Sequence, residues 1–143
     1  MSLLDSNFIE IDLYYKYATT DNGKRLVIVD DEKGKEAFKS DDKTKSIEIL
    51  KTKWCLLTWQ EQNDVMNTSS QTVNPQTGER QFNFLSYRDS VVKKCLKEWN
   101  LTINEKPVPV TKEAIDKLPG LVVTGLYQKF EKLVDYTDQE MGN

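Results

Sequence analysis

Histidine is absent from this chain of 143 residues. Its absence removes the commonest general base near neutral pH, the commonest metal ligand and every histidine-containing catalytic triad. Cysteine is scarce. Cys55 and Cys95 form no Cys-x-x-Cys pair and stand far apart among apolar neighbours, so a zinc site would have to combine carboxylates with two distant thiols. Two buried free thiols of a reducing compartment fit better. Glycine numbers six, and no Walker loop, Gly-x-Gly-x-x-Gly or Gly-x-Ser-x-Gly motif occurs. A calcium loop centred on Gly34 fails because its first ligand position falls on Val29. No apolar run approaches the roughly 20 residues of a membrane span. The start, Met1-Ser2-Leu3-Leu4-Asp5, has neither the basic nor the apolar region of a signal peptide.

Excess positive charge is missing as well. Lys and Arg total 20 against 23 Asp and Glu, a formal net charge of -3, and no basic patch would draw the chain to phosphate. Acids are abundant, but no pair sits on an apolar stretch that would raise a carboxyl pKa for acid–base work. These gaps point to a soluble binding protein with no metal, cofactor, nucleic acid or membrane among its partners, and not to an enzyme.

What is present is a foldable chain with a well-solvated surface: 38% apolar and 30% charged residues. At this length about two-thirds of the unfolded surface is buried on folding, enough for one core. Residues 1–143 read as a single α+β domain, β-rich over 1–57, helical over 58–136, with a flexible acidic tail at 137–143. In Phe8–Tyr14 apolar and acidic residues alternate, and Ile9, Ile11 and Leu13 share one face of a half-buried strand. Arg25–Asp30 is a second, β-branched run. Asp21-Asn22-Gly23 between them signals a type I′ hairpin turn. The charge-mixed stretch 31–46 reads as a loop, and Ser46–Lys51 as a third strand that can run on through Trp54–Leu57.

The period then changes. Thr58-Trp59-Gln60-Glu61 fits a capping box, which predicts a helix from Trp59 to about Thr68. Turn residues dominate Ser69–Arg80, read as a loop. Phe82, Leu85, Val92, Cys95, Leu96 and Trp99 recur at helical spacing and predict one long helix over 82–99 with Trp99 in its core stripe. Lys106–Val110 is an extended connector. Thr111 caps a short helix over Lys112–Leu118, Pro119-Gly120 breaks it, and a last helix starts near Leu121. About four helices thus follow a small antiparallel sheet.

Several of these segments resemble the tail assembly chaperones of tailed bacteriophages: Leu57-Thr58-Trp59-x-Glu61 opening a helix, a helix ending in Lys97-Glu98-Trp99, then Val108-Pro109-Val110-Thr111, then Ile115-Asp116-Lys117-Leu118-Pro119 before a final helix. The likeness covers about half of the chain, mainly residues 82–134. It implies a non-catalytic holdase of the host cytoplasm whose partner is the helical tape measure protein, with tail tube subunits as a second client class and self-association left open. A helix-binding groove is the surface such a protein needs, and the candidate groove residues are Leu121, Val122, Leu126, Tyr127 and Phe130. The rival readings are a structural phage component (a head–tail connector or baseplate subunit) and a small enzyme using carboxylates alone.

Overall fold

The computed structural model describes residues 3–4, 8–39 and 46–141; for residues 37, 38 and 135–141 only the backbone is described. Along the chain run β1 (Phe8–Thr20), β2 (Gly23–Ile28), α1 (Glu32–Lys39), β3 (Glu48–Cys55), α2 (Trp59–Ser69), β4 (Ser70–Asn74), β5 (Glu79–Phe82), α3 (Phe84–Cys95), β6 (Leu96–Trp99), β7 (Thr102–Ile103), β8 (Lys106–Pro107), α4 (Lys112–Lys117) and α5 (Gly120–Met141). The fold is α+β. Its centre is an antiparallel sheet of order β2-β1-β3-β6, in which Leu13 pairs with Leu50, Ile11 with Thr52 and Ile9 with Trp54. The period of two puts these six residues on one face, where α5 covers them. The ring of Phe130 stacks on Trp54 at 4.8 Å between centroids. Gly125 lets the helix come close: a Cβ there would stand 3.3 Å from a Leu13 methyl. Lys129 clamps the same crossing, donating to the Asp12 carbonyl at 2.6 Å and pairing with the Asp30 carboxylate.

The β1–β2 hairpin forms where the sequence puts it, with a different turn. Thr20 pairs with Gly23, so Asp21-Asn22 is the loop. Neither has positive φ; Gly23 takes it, at 123°. The capping box at Thr58 is complete: the Glu61 amide donates to Thr58 Oγ1 and the Thr58 amide to Glu61 Oε1. Thr111 caps α4 by accepting from the Ala114 amide.

Four segments differ from their sequence reading. The charged stretch after β2 is not all loop, because α1 occupies Glu32–Lys39. Asp31 caps it, accepting from the Gly34 amide at 2.8 Å; residues 40–45 lie outside the described residues. The supposed loop 69–80 is largely a hairpin, with Ser70 opposite Phe82. Its turn is closed by Asn74, whose side chain accepts from the Gln76 amide and whose carbonyl accepts from the Gly78 amide. The connector 106–110 begins as β8, which pairs with β7 through a turn at Asn104-Glu105. Most consequentially, the helix expected over 82–99 spans only Phe84–Cys95 and then becomes β6 on the free edge of β3.

Trp99 therefore belongs to a strand and not to a helical core stripe. It is half-buried, and its indole Nε1 donates to the Val108 carbonyl at 2.6 Å. Asn100 prolongs the edge pairing, since its side-chain amide bonds the Ile49 carbonyl and the Lys51 amide. A backbone edge with unpaired groups outweighs weak helical periodicity, because each ladder bond satisfies a donor and an acceptor at once. The 58–136 region is consequently mixed: it holds four helices and the five strands β4–β8. In the expected tail, the backbone of 137–141 continues α5, and Gly142 and Asn143 lie outside the described residues.

Candidate functional site

Where α2, α3 and α5 converge beyond the end of β3 they leave an apolar groove of about 540 Å³. That lies within the range of about 300–1,000 Å³ usual for ligand-binding clefts. Each wall has a local cause. β3 ends at Cys55, and the next residues, Leu56 and Leu57, run along one lip before Thr58 starts α2. The capping box then fixes the direction in which α2 leaves, and Val65 and Met66 form the second wall with Gln62. The β4–β5 hairpin returns the chain so that Phe82 overhangs the groove, and Asn83 caps α3 by accepting from the Ser86 amide at 3.1 Å. From α3 come Phe84, Tyr87 and Val91, and from α5 Tyr127, Phe130, Glu131 and Val134.

The lining divides into a buried floor and exposed rims. Val65, Val91, Tyr127 and Phe130 are buried, whereas Leu56, Met66, Phe82 and Phe84 are about half exposed, at 55%, 47%, 49% and 47%. Aromatic contacts hold the rims in place: Phe82 meets Tyr87 at 5.4 Å and Phe84 meets Tyr127 edge-on at 6.3 Å. The Arg88 guanidinium sits 6.0 Å from the Phe84 ring centre, which stiffens that rim further. Among the described residues of the lining, Glu131 is the charged one. A contiguous set of half-exposed aromatic and aliphatic side chains around a concavity is the surface an apolar partner occupies, in contrast to single exposed apolar residues.

Of the five residues that sequence singled out, the structure brings two to the groove. Tyr127 and Phe130 form its floor. Val122 and Leu126 are core residues, 6% and 1% exposed, and Leu121 is exposed outside the lining. The sequence reading looked at the apolar face of α5 alone. The larger share of the site comes from Met66, Phe82, Phe84 and the Leu56-Leu57 pair, none of which it named for the groove: it placed Phe82 on a helical stripe and Leu56-Leu57 at the end of a strand. The signal that could have found them is negative: Met66 and Phe84 are apolar residues that no buried helical stripe accounts for.

The chemistry elsewhere is that of packing. Among the described residues no group of three or more Cys, Asp or Glu side chains is placed to hold a metal ion, and no helix is long and apolar enough to cross a membrane. Burial, together with the nearby Glu61 carboxylate, pushes the Cys95 thiol up from 9.0 to about 12. Burial and then the Glu48 side chain push Tyr15 up from 10.0 to about 12. The Asp116 hydrogen bond, aided by Asp89, raises Lys93 and ties α3 to α4.

No protein-family model, curated protein or solved structure matches this chain.

Proposed function

We propose that this protein is a non-catalytic holdase that grips an amphipathic helix in the α2–α3–α5 groove, and that its client is the helical tape measure protein of a tailed phage, bound before tail assembly in the host cytoplasm. The groove carries the reading. A client helix enters such a cleft with apolar anchors at positions i, i+3 or i+4, and i+7. The half-exposed rims of Met66, Phe82 and Phe84 can close around those anchors, and the buried floor of Tyr127 and Phe130 supports them. Glu131 at the rim favours a client with Lys or Arg beside its apolar face. Tape measure chains are long helices whose apolar faces need cover until the tube surrounds them, and the likeness of residues 82–134 to tail assembly chaperones supplies that identity. The change of Lys97-Glu98-Trp99 from helix to strand removes one element of the likeness, while the capped α2 and the Thr111–Pro119 segment keep their expected form.

The rival reading, a structural subunit that stays in the particle, draws on the exposed apolar residues outside the groove, Trp59, Leu85, Ile103 and Leu121. Co-expression with the tape measure protein separates the two. A holdase keeps the tape measure chain in the supernatant and is missing from purified particles; a structural subunit does neither and is found in the particles.

A further inference from the structure

We infer that the outer edge of β2 pairs with the same edge of a second copy of this chain, antiparallel about a two-fold axis at Val27, joining two four-stranded sheets into one. The pairing stands independently of what the groove binds.

β2 ends the sheet, and among the described residues no strand lies beyond it. Such an edge is a template for another strand unless a bulge, a proline or a covering element blunts it. The register of β2 with β1 runs unbroken from Thr20–Gly23 to Tyr15–Ile28. α1 turns instead beside the N-terminal half of β1, where Lys35 lines a cavity with Glu10, Asp12 and Lys129. The opposite edge strand, β6, is four residues long and bulged against β3.

Hydrogen-bond direction fixes which groups a partner meets. The Val29 amide donates to the Tyr14 carbonyl, so the backbones of Val29, Val27 and Arg25 face β1, and those of Lys24, Leu26, Ile28 and Asp30 face outward. A two-fold axis normal to the sheet keeps each side chain on its own face, so one residue must pair with its own copy. Centring on Val27 sets Leu26 of one copy opposite Ile28 of the other, and Lys24 opposite Asp30. The outward series Lys24, Leu26, Ile28, Asp30 is thus complementary to itself read backwards. Centring on Ile28 would put Leu26 against Asp30, and centring on Leu26 would put Lys24 against Ile28. Of these registers the Val27 one alone matches apolar with apolar and base with acid, with about eight backbone hydrogen bonds exchanged.

Charge and exposure agree with it. Lys24 and Arg25 are exposed at one end of the strand. Asp30, which also holds Lys129 and the Tyr14 amide, stands at the other, and the exposed Asp31 and Glu32 extend that acidic end. The antiparallel copy therefore brings opposite charges together at both ends. On the inner face Leu26 pairs with Tyr17 and Ile28 with Tyr15, and Tyr17 is 53% exposed. The second copy continues this apolar row past Leu26 with its own Ile28 and Tyr15. Both grooves stay open, because they lie beyond the Phe8–Cys55 end of the sheet.

Sedimentation equilibrium of the full chain tests this. The native chain should reach twice the 16.6 kDa of one copy by about 100 µM. Val27→Glu sets two carboxylates against each other on the axis, while within one chain the new carboxylate faces Lys16, the β1 partner of that position. It should weaken self-association at least about tenfold with an unchanged circular dichroism spectrum. Cross-linking gives a second readout: with glutathione disulfide as oxidant, Val27→Cys should join to its own copy, at the close spacing of a non-hydrogen-bonded pair, more than the native chain or Arg25→Cys does. A native chain that stays monomeric at that concentration overturns the inference. So does a dimer that Val27→Glu leaves equally tight, or cross-linking through Arg25→Cys and not through Val27→Cys.

Discussion

Thr52 is a buried polar side chain on the inner sheet face, 2% exposed. Its hydroxyl accepts from the Trp54 indole at 2.8 Å and donates to the Ile11 carbonyl at 2.6 Å. The relay lets Trp54, which is fully buried, satisfy its N–H beneath Phe130. Thr52→Val keeps the shape and orphans that N–H, so urea unfolding should show a loss of about 1–3 kcal/mol, the cost of an unsatisfied buried donor. Thr52→Ser should recover most of it. A second expectation at this scale concerns Cys95. Its neutral thiol is favoured in the folded chain, since its pKa moves from 9.0 up to about 12. The stability this contributes is therefore complete below about pH 9 and is lost as pH rises towards about 12, with Tyr15 adding to the same decline from about pH 10. Denaturation midpoints taken across that window should fall, and less steeply in Cys95→Ala. A slope unchanged by that substitution would remove Cys95 from the explanation.

At the scale of elements, the β7–β8 turn holds a local misfit. Asn104 and Glu105 take φ of 52° and 66°, the left-handed pair of a two-residue hairpin turn. Asn suits that region and Glu does not. Glu105→Gly should stabilise the protein in urea unfolding, because the left-handed cost of about 1–2 kcal/mol for a non-glycine residue exceeds glycine's entropic cost of about 0.5–1 kcal/mol; a loss would mean that the Glu105 side chain contributes something its exposure hides. This turn also illustrates what the sequence makes legible. Elements with a strong local signal are readable: the alternation of Ile9, Ile11 and Leu13, the Thr58–Glu61 box, the Thr111 cap and the Pro119-Gly120 break. Elements decided by a distant partner are not. Leu96–Trp99 is helical by spacing and a strand because β3 offers an open edge at Thr52–Trp54, far earlier in the chain. Asn104-Glu105 carries no glycine to mark its turn. Ser69–Arg80 reads as polar loop because hairpin residues exposed on both faces show no alternation of burial. The groove was half legible for the same reason: Tyr127 and Phe130 announce themselves by helical period, while Phe82, Phe84 and Met66 meet only after the hairpin has turned the chain back.

On the scale of the whole molecule, a sheet with one face covered by α5 leaves the ends of α2 and α3 to close a separate apolar cleft. The opposite sheet face carries Glu10, Lys51, Lys53 and Glu98, with Lys53 and Glu98 paired at 3.8 Å. The protein thus has a charged back and an apolar front, an arrangement that suits the proposed holdase, whose complex would stay dissolved while a client's apolar face is covered. The central claim is that the front binds. Calorimetric titration of an amphipathic helical peptide into the native chain and into a Met66→Glu/Phe84→Glu variant tests it most directly, because both substitutions change half-exposed rims and leave the core intact. The expected result is saturable binding with a negative heat-capacity change, the mark of apolar burial, lost by at least about tenfold in a variant that melts like the native chain, that is, by about 1.4 kcal/mol. Equal affinity for the two chains, or no binding to either, would contradict the account.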